Sequence, residues 1–98
     1  MDIKITSVHF DADVKLKDFI NKRVEKLTQF FDNIIAVEVF LRLANSNDKE
    51  NKIVEIKLEI PKSELFADKQ SKSFEESTDN AIEALRKQLI KQKEKMKK

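Results

Sequence analysis

The sequence predicts an α+β domain, a two-layer sandwich in the order β-α-β-β-β-α with a four-stranded mixed sheet and two helices on one of its faces. Three observations predict it. Two stretches, near 14–30 and from 74 into the low nineties, carry apolar residues at three- and four-residue steps, the stripe of an amphipathic helix. Two others, 35–43 and 54–60, alternate apolar with polar residues, the period of a half-buried strand. With 98 residues, 40% of them hydrophobic, the chain supports one modest core and not two.

The elements follow in order. Residues 2–8 hold Ile3, Ile5 and Thr6 and read as a first strand. Asp13 is a good N-cap, and Leu16, Phe19, Ile20, Val24, Leu27 and Phe31 behind it form one stripe, so a helix is expected over 14–30 with Asp32-Asn33 as its break. Ile35, Val37, Val39, Leu41 and Leu43 alternate with Ala36, Glu38, Phe40 and Arg42, a second strand. Residues 44–51 are polar and turn-rich. Val54, Ile56, Leu58 and Ile60 alternate with Glu55, Lys57 and Glu59 as a third strand, and Pro61 ends it or sits at its edge. Leu65 and Ala67, with Phe66 opposite, make a shorter and weaker fourth strand.

Ser73 and Glu76 have the spacing of a capping box, and Phe74, Thr78, Ala81, Ile82, Leu85 and Leu89 form the second stripe, continued weakly by Met96. Glu75, Glu76, Asp79 and Glu83 in the first turns and cations in the last complement the helix dipole. The first helix is long enough to cross over, so strands one and two should run parallel with a right-handed connection, and the others antiparallel. The alternation leaves one sheet face wet, and the helices cover the other. The whole chain, 1–98, reads as one domain without repeats or linker, its basic end at 93–98 expected to fray.

Composition narrows the chemistry. There is no Cys and only one His, His9, so thiolate and multi-His metal sites and cysteine nucleophiles are excluded. Gly is absent, which excludes the phosphate-cradling and dinucleotide-binding loops that need bare backbone. It also leaves Asn and Asp to supply any left-handed turn positions. Asp13 is explained as a cap, so Asp11 and Asp13 make a poor catalytic carboxylate pair, and His9 reads as an exposed strand-end residue. No enzyme, no cofactor, no metal and no small-molecule substrate are expected. No apolar run reaches the roughly 20 residues of a membrane helix, and Met1-Asp2-Ile3-Lys4 lacks the layout of a signal peptide. A cytoplasmic protein is expected.

The charge is uneven. Residues 86–98 hold seven cations against Glu94 alone, a net +6, whereas residues 1–85 hold 13 cations against 17 acids, a net −4. A cationic end on an acidic body suits a polyanion partner. On the first helix Lys22 and Lys26 fall within about 20° of Lys15, with Arg23 nearby, and on the second Lys87, Lys91, Lys95 and Lys98 lie within about 80° of one another. Two such stripes in one layer could line a single groove or ridge. The solvent face of any amphipathic helix shows the same spacing, and Asp18, Glu25 and Glu94 could pair with neighbours and blunt the stripes. There is no Tyr or Trp, and most of the seven Phe fall at core positions. This argues against a base-stacking sheet and for phosphate and shape contacts to structured RNA.

The chain resembles, end to end, the short ribosome hibernation-promoting factors, also called ribosome-associated inhibitors or sigma-54 modulation proteins. The resemblance is carried by Ile3-Lys4-Ile5-Thr6, by Leu16-Lys17-Asp18-Phe19-Ile20 with Arg23, Lys26-Leu27 and Phe31-Asp32, by Val54-Glu55-Ile56, Ala67 and Asp79-Asn80-Ala81-Ile82, and above all by Leu85-Arg86-Lys87-Gln88-Leu89 with Lys91, Lys93 and Lys95. It implies a fold similar to double-stranded-RNA-binding domains with an added strand. It also implies binding to 16S ribosomal RNA of the small subunit, in the channel between head and body, where the protein occupies the path of messenger and transfer RNA and holds idle ribosomes inactive. Arg23, Lys26, Lys87, Lys91, Lys93 and Lys95 match the family's basic positions and are the RNA contacts the resemblance implies.

This chain departs from the family at several points. Ala84 stands where many relatives carry Lys, Ser73 where Asp often caps, Ser7 where Gly is common, and Glu75-Glu76-Ser77-Thr78 replaces a more apolar stretch. With neither the C-terminal dimerisation domain of long relatives nor an extended acidic tail, a monomer off the ribosome is expected. Two other readings stay open at this stage: a general binder of structured RNA, and a protein-interaction module acting on the transcription machinery.

Overall fold

The computed structural model describes residues 2–45 and 49–95, without the side chain of Lys95. The expectations for Met96 and Lys98 lie outside these residues. The elements are β1 (Asp2–Ser7), α1 (Val14–Phe30), β2 (Ala36–Leu43), β3 (Lys52–Ile60), β4 (Ser63–Ser71) and α2 (Phe74–Lys95). They form one sheet in the order β1-β2-β3-β4. β1 pairs parallel with β2, Ile3 opposite Val37 and Ile5 opposite Val39; β2–β3 and β3–β4 are antiparallel. This is the predicted four-stranded mixed sheet with two helices on one face.

Side-chain alternation decides which face the helices cover. Val37, Val39 and Leu41 of β2 and Val54, Ile56, Leu58 and Ile60 of β3 are buried, and they meet Ile20, Val24 and Leu27 of α1 and Ala81, Leu85 and Leu89 of α2 in one cluster. The α1 helix starts where Asp13 Oδ1 accepts from the Leu16 N–H at 2.8 Å. The α2 helix starts where Ser73 Oγ accepts from the Glu76 N–H at 3.1 Å; both are N-caps satisfying an otherwise orphaned donor. Three further contacts anchor the start of α2. Ser77 Oγ donates to the Lys52 carbonyl on β3 at 2.7 Å and lies 2.8 Å from Ser71 Oγ on β4. The Phe74 ring stacks on Phe10, centroids 5.2 Å apart.

Two differences from the sequence reading have physical causes. The fourth strand is not short: it runs nine residues and pairs along its whole length, from Ile60 opposite Ser63 to Lys52 opposite Ser71. Its outward positions Glu64, Asp68 and Gln70 are polar because one face is wet and the strand is an edge. Its inward Ser71 is buried among hydrogen bonds rather than carbon. Among the described residues, the left-handed positions are also not filled by Asn or Asp. They are His9, at φ 66°, and Lys62, at φ 67°. Pro61 and Lys62 form the two-residue turn between β3 and β4, with proline's fixed φ first and the left-handed residue second.

A lysine in that conformation is strained relative to glycine by roughly 1–2 kcal/mol, partly offset by the greater unfolded-state freedom of glycine. Lys62→Gly is therefore expected to raise stability by about 0.5–1 kcal/mol in urea unfolding. A loss of stability would show that the lysine side chain holds the turn by a contact of its own.

Candidate nucleic-acid interface

Arg23 and Lys26 are exposed on the flank of α1 that faces α2. With Ile20, Val24 and Leu27 turned into the core, the helical pitch carries these two cations about 60° and 120° round from Ile20. The side is fixed by an ion pair: Arg23 Nε lies 3.1 Å from Asp79 Oδ1 on α2. The same guanidinium sits 4.7 Å from the centre of the Phe19 ring, a cation–π contact. Both partners of the ion pair are about half exposed, so it adds little stability; its effect is to orient the arginine over the groove between the helices.

Leu27, Phe30 and Ile82 supply the apolar lining of that groove, and Arg23, Lys26 and Arg86 its cations. Glu83 also lines it and pairs with Arg86 at 3.7 Å. Lys93 adjoins the groove, lining a neighbouring hollow with Phe30, Phe31 and Leu89.

Lys87 and Lys91 sit elsewhere. They are exposed and turned about 100° and 140° round α2 from Arg86, on the side where Gln88 Nε2 donates to the Phe66 carbonyl of β4 at 3.0 Å. Lys95 is the last residue of α2, which thus stays helical into the stretch expected to fray. The structure gathers Arg23, Lys26 and Lys93 about one groove and puts Lys87 and Lys91 on the other flank, so α2 is a ridge with cations on both sides. Asp18, Glu25 and Glu94 take part in none of the ion pairs among the described residues.

The opposite surface has the opposite sign. The open face of the sheet presents six acids, Asp2, Glu38, Glu55, Glu59, Glu64 and Asp68, against three bases, Lys4, Arg42 and Lys57. Arg42 pairs with Glu55, and Lys57 with Glu64. Half-buried Phe40 and exposed Phe66 also lie on this face, but on β2 and β4 with β3 between them, so they form no shared platform. Phe10, Phe19, Phe31 and Phe74 pack in or against the core. His9 is exposed, and among the described residues no cluster of three or more His, Cys, Asp or Glu could hold a metal ion. Among the described residues no helix is long and apolar enough to cross a membrane.

Sequence reasoning left Arg86 and Phe30 off the site. The signals were present: Arg86 follows Leu85 by 100°, which turns it toward α1, and of the adjacent pair Phe30-Phe31 only one ring can face the core.

These features define a class of protein: a βαβββα sandwich, its helix layer studded with exposed cations and its open sheet face acidic. The chain belongs to the sigma 54 modulation protein / S30EA ribosomal protein family, whose model matches residues 3–97. It is similar to the ribosome hibernation promoting factor of Klebsiella oxytoca, 29% identical over 97 residues, or 99% of this chain and 98% of that protein. Two solved structures share the fold. The ribosomal subunit interface protein from Coxiella burnetii superposes with a TM-score of 0.84 at 24% identity, covering 95% of this chain and 98% of the other. The N-terminal domain of Thermus thermophilus Protein Y does so with a TM-score of 0.76 at 21% identity, covering 90% and 94%.

Proposed function

We propose that this protein is a ribosome hibernation factor. In this reading it binds the small ribosomal subunit in the channel used by messenger and transfer RNA, and blocks translation by occupying that path, without chemistry. It acts in the cytoplasm, as a monomer when off the ribosome, and needs no cofactor. The observation that carries the reading is the segregation of charge by layer. Among the described side chains the two helices expose nine cations, Arg23, Lys26, Lys87, Lys91 and Lys93 among them, against seven acids, four of which lie in the first turns of α2, while the sheet's open face carries six acids against three bases. A polyanion is attracted to one surface and repelled by the other, so the body takes a defined orientation on it. Lysine and arginine without an aromatic sheet platform suit the phosphates and shape of folded RNA. The family's relatives named for ribosome hibernation support the choice of the ribosome among folded RNAs.

The test is co-sedimentation with purified small subunits across a salt series. Each phosphate neutralised releases counterions, so retention should fall steeply, by at least tenfold between about 50 and 200 mM monovalent salt. Absence of retention at the lowest salt would overturn the reading. Equal binding to bulk duplex RNA would favour a general RNA binder instead. The family's other name, sigma 54 modulation protein, keeps a protein-interaction role as the remaining outcome, recognised by binding that survives nuclease treatment.

A further inference from the structure

We infer that Phe30, at the C-terminal end of α1, is a stacking platform for one unpaired nucleobase of the bound RNA. This rests on the reading above and deepens it: the groove between the helices takes a base as well as phosphates.

Phe30 is 68% exposed, although its neighbour Phe31 packs against the core. A lone exposed apolar side chain is ordinary, but Phe30 is not alone. Ile90 of α2, 42% exposed, shares a hollow with it, and the ring lines each of three adjoining hollows between the helices. Its surroundings are cationic at the points that count. Lys26 precedes it by one helical turn on α1, and Arg86 and Lys93 face it from α2. Asp79 and Glu83 line the groove too, but each is engaged by a guanidinium, Arg23 for one and Arg86 for the other. Asp32 and Glu94, in no ion pair among the described residues, line one each of the two neighbouring hollows. The four cations Arg23, Lys26, Arg86 and Lys93 thus meet four carboxylates, and the two free acids sit at the far end from Lys26. The ammonium groups of Lys26 and Lys93 belong to no ion pair among the described residues.

A flat apolar face between two cations matches the chemistry of a nucleotide within a strand, whose base lies between a 5′ and a 3′ phosphate. Aromatic rings bind unpaired bases by stacking, with little regard to sequence. Paired bases in an A-form duplex are stacked on each other and offer no free face, so the platform selects loops, bulges and single-stranded segments.

The test uses the full chain and two RNAs: a hairpin with 2-aminopurine at an unpaired loop position, and a continuous duplex of the same stem. Wild type should bind the hairpin more tightly and quench the 2-aminopurine. Phe30→Ala should weaken hairpin binding about tenfold, leave duplex binding within about twofold and abolish the quenching. Phe30→Leu, apolar but without a π face, should behave like the alanine variant, and Phe30→Trp should restore binding. Circular dichroism melts confirm that each variant is folded, as expected for an exposed side chain. If both RNAs bind and Phe30→Ala or Phe30→Leu matches wild type, the stacking role is overturned while the phosphate-binding reading stands. If wild type binds neither RNA, the stacking inference is overturned, and retention on small subunits decides the reading it rests on separately. If wild type self-associates in sedimentation velocity and Phe30→Ala does not, the patch belongs to a second copy of the chain, and the inference is likewise overturned.

Discussion

Replacing Lys87 and Lys91 together with glutamate is expected to weaken retention on small subunits by one to two orders of magnitude at about 100 mM salt. Both side chains are exposed and in no ion pair among the described residues, so reversal removes two phosphate contacts and adds two repulsions at little cost to folding. The slope of log affinity against log salt should become shallower by about two, one unit per lost phosphate contact. The companion variant Lys26→Glu with Lys93→Glu acts on the groove flank of the same helix layer. Because α2 separates the two pairs, they meet different phosphates, and their losses should add in log affinity. Saturation, with four reversals no worse than two, would mean that only one flank of α2 touches RNA. Unchanged retention in the Lys87/Lys91 variant would remove those residues from the interface.

Much of this layout was legible in the chain because the core writes itself in period. The spacing of Ile20, Val24 and Leu27 predicts α1 from 14 to 30, and the structure has Val14–Phe30. The alternation of Val37, Val39 and Leu41 predicts β2 within one residue. β4 is longer than its own side chains suggest because an edge strand is specified by its partner's backbone more than by its own carbon: Glu64, Asp68, Lys69 and Gln70 look like loop until β3 supplies their hydrogen bonds. Lys62 carries no signal of a left-handed residue, since a lysine side chain does not favour that conformation and only the closed turn imposes it, whereas histidine is enriched there and His9 fits that tendency. The candidate site shows the same division. Single-helix geometry placed Lys87 with Lys91 correctly, but which flank of α2 meets α1 depends on how two helices pack. That tertiary fact, set by the buried stripes of the two helices and marked by the Arg23–Asp79 contact, separates those lysines from Arg86 and Lys93.

The second large effect is on stability, and it separates folding from binding. Leu85 is fully buried on α2 among the side chains of the central strands, whereas Ile90, five residues on, is 42% exposed. Leu85→Ala removes three buried carbons and leaves a cavity that a sheet packed on one face cannot readily collapse around, a loss of about 2–5 kcal/mol. For a domain of this size the total is about 5–15 kcal/mol, so the midpoint of thermal unfolding should fall by roughly 10–25 °C. Ile90→Ala should cost under about 1 kcal/mol, because most of what it loses was already in water. The informative measurement is binding by the Leu85→Ala protein at 10 °C, well below its own midpoint. If affinity resides in cations on a preformed helix surface, this variant should bind small subunits like wild type there, with the same salt slope. It should lose binding only on heating, in step with its circular dichroism. Weak binding by a fully folded Leu85→Ala protein would mean instead that the core sets the alignment of α2 more finely than phosphate contacts alone require. A destabilisation under 1 kcal/mol would refute the placement of Leu85 at the heart of the helix–sheet contact.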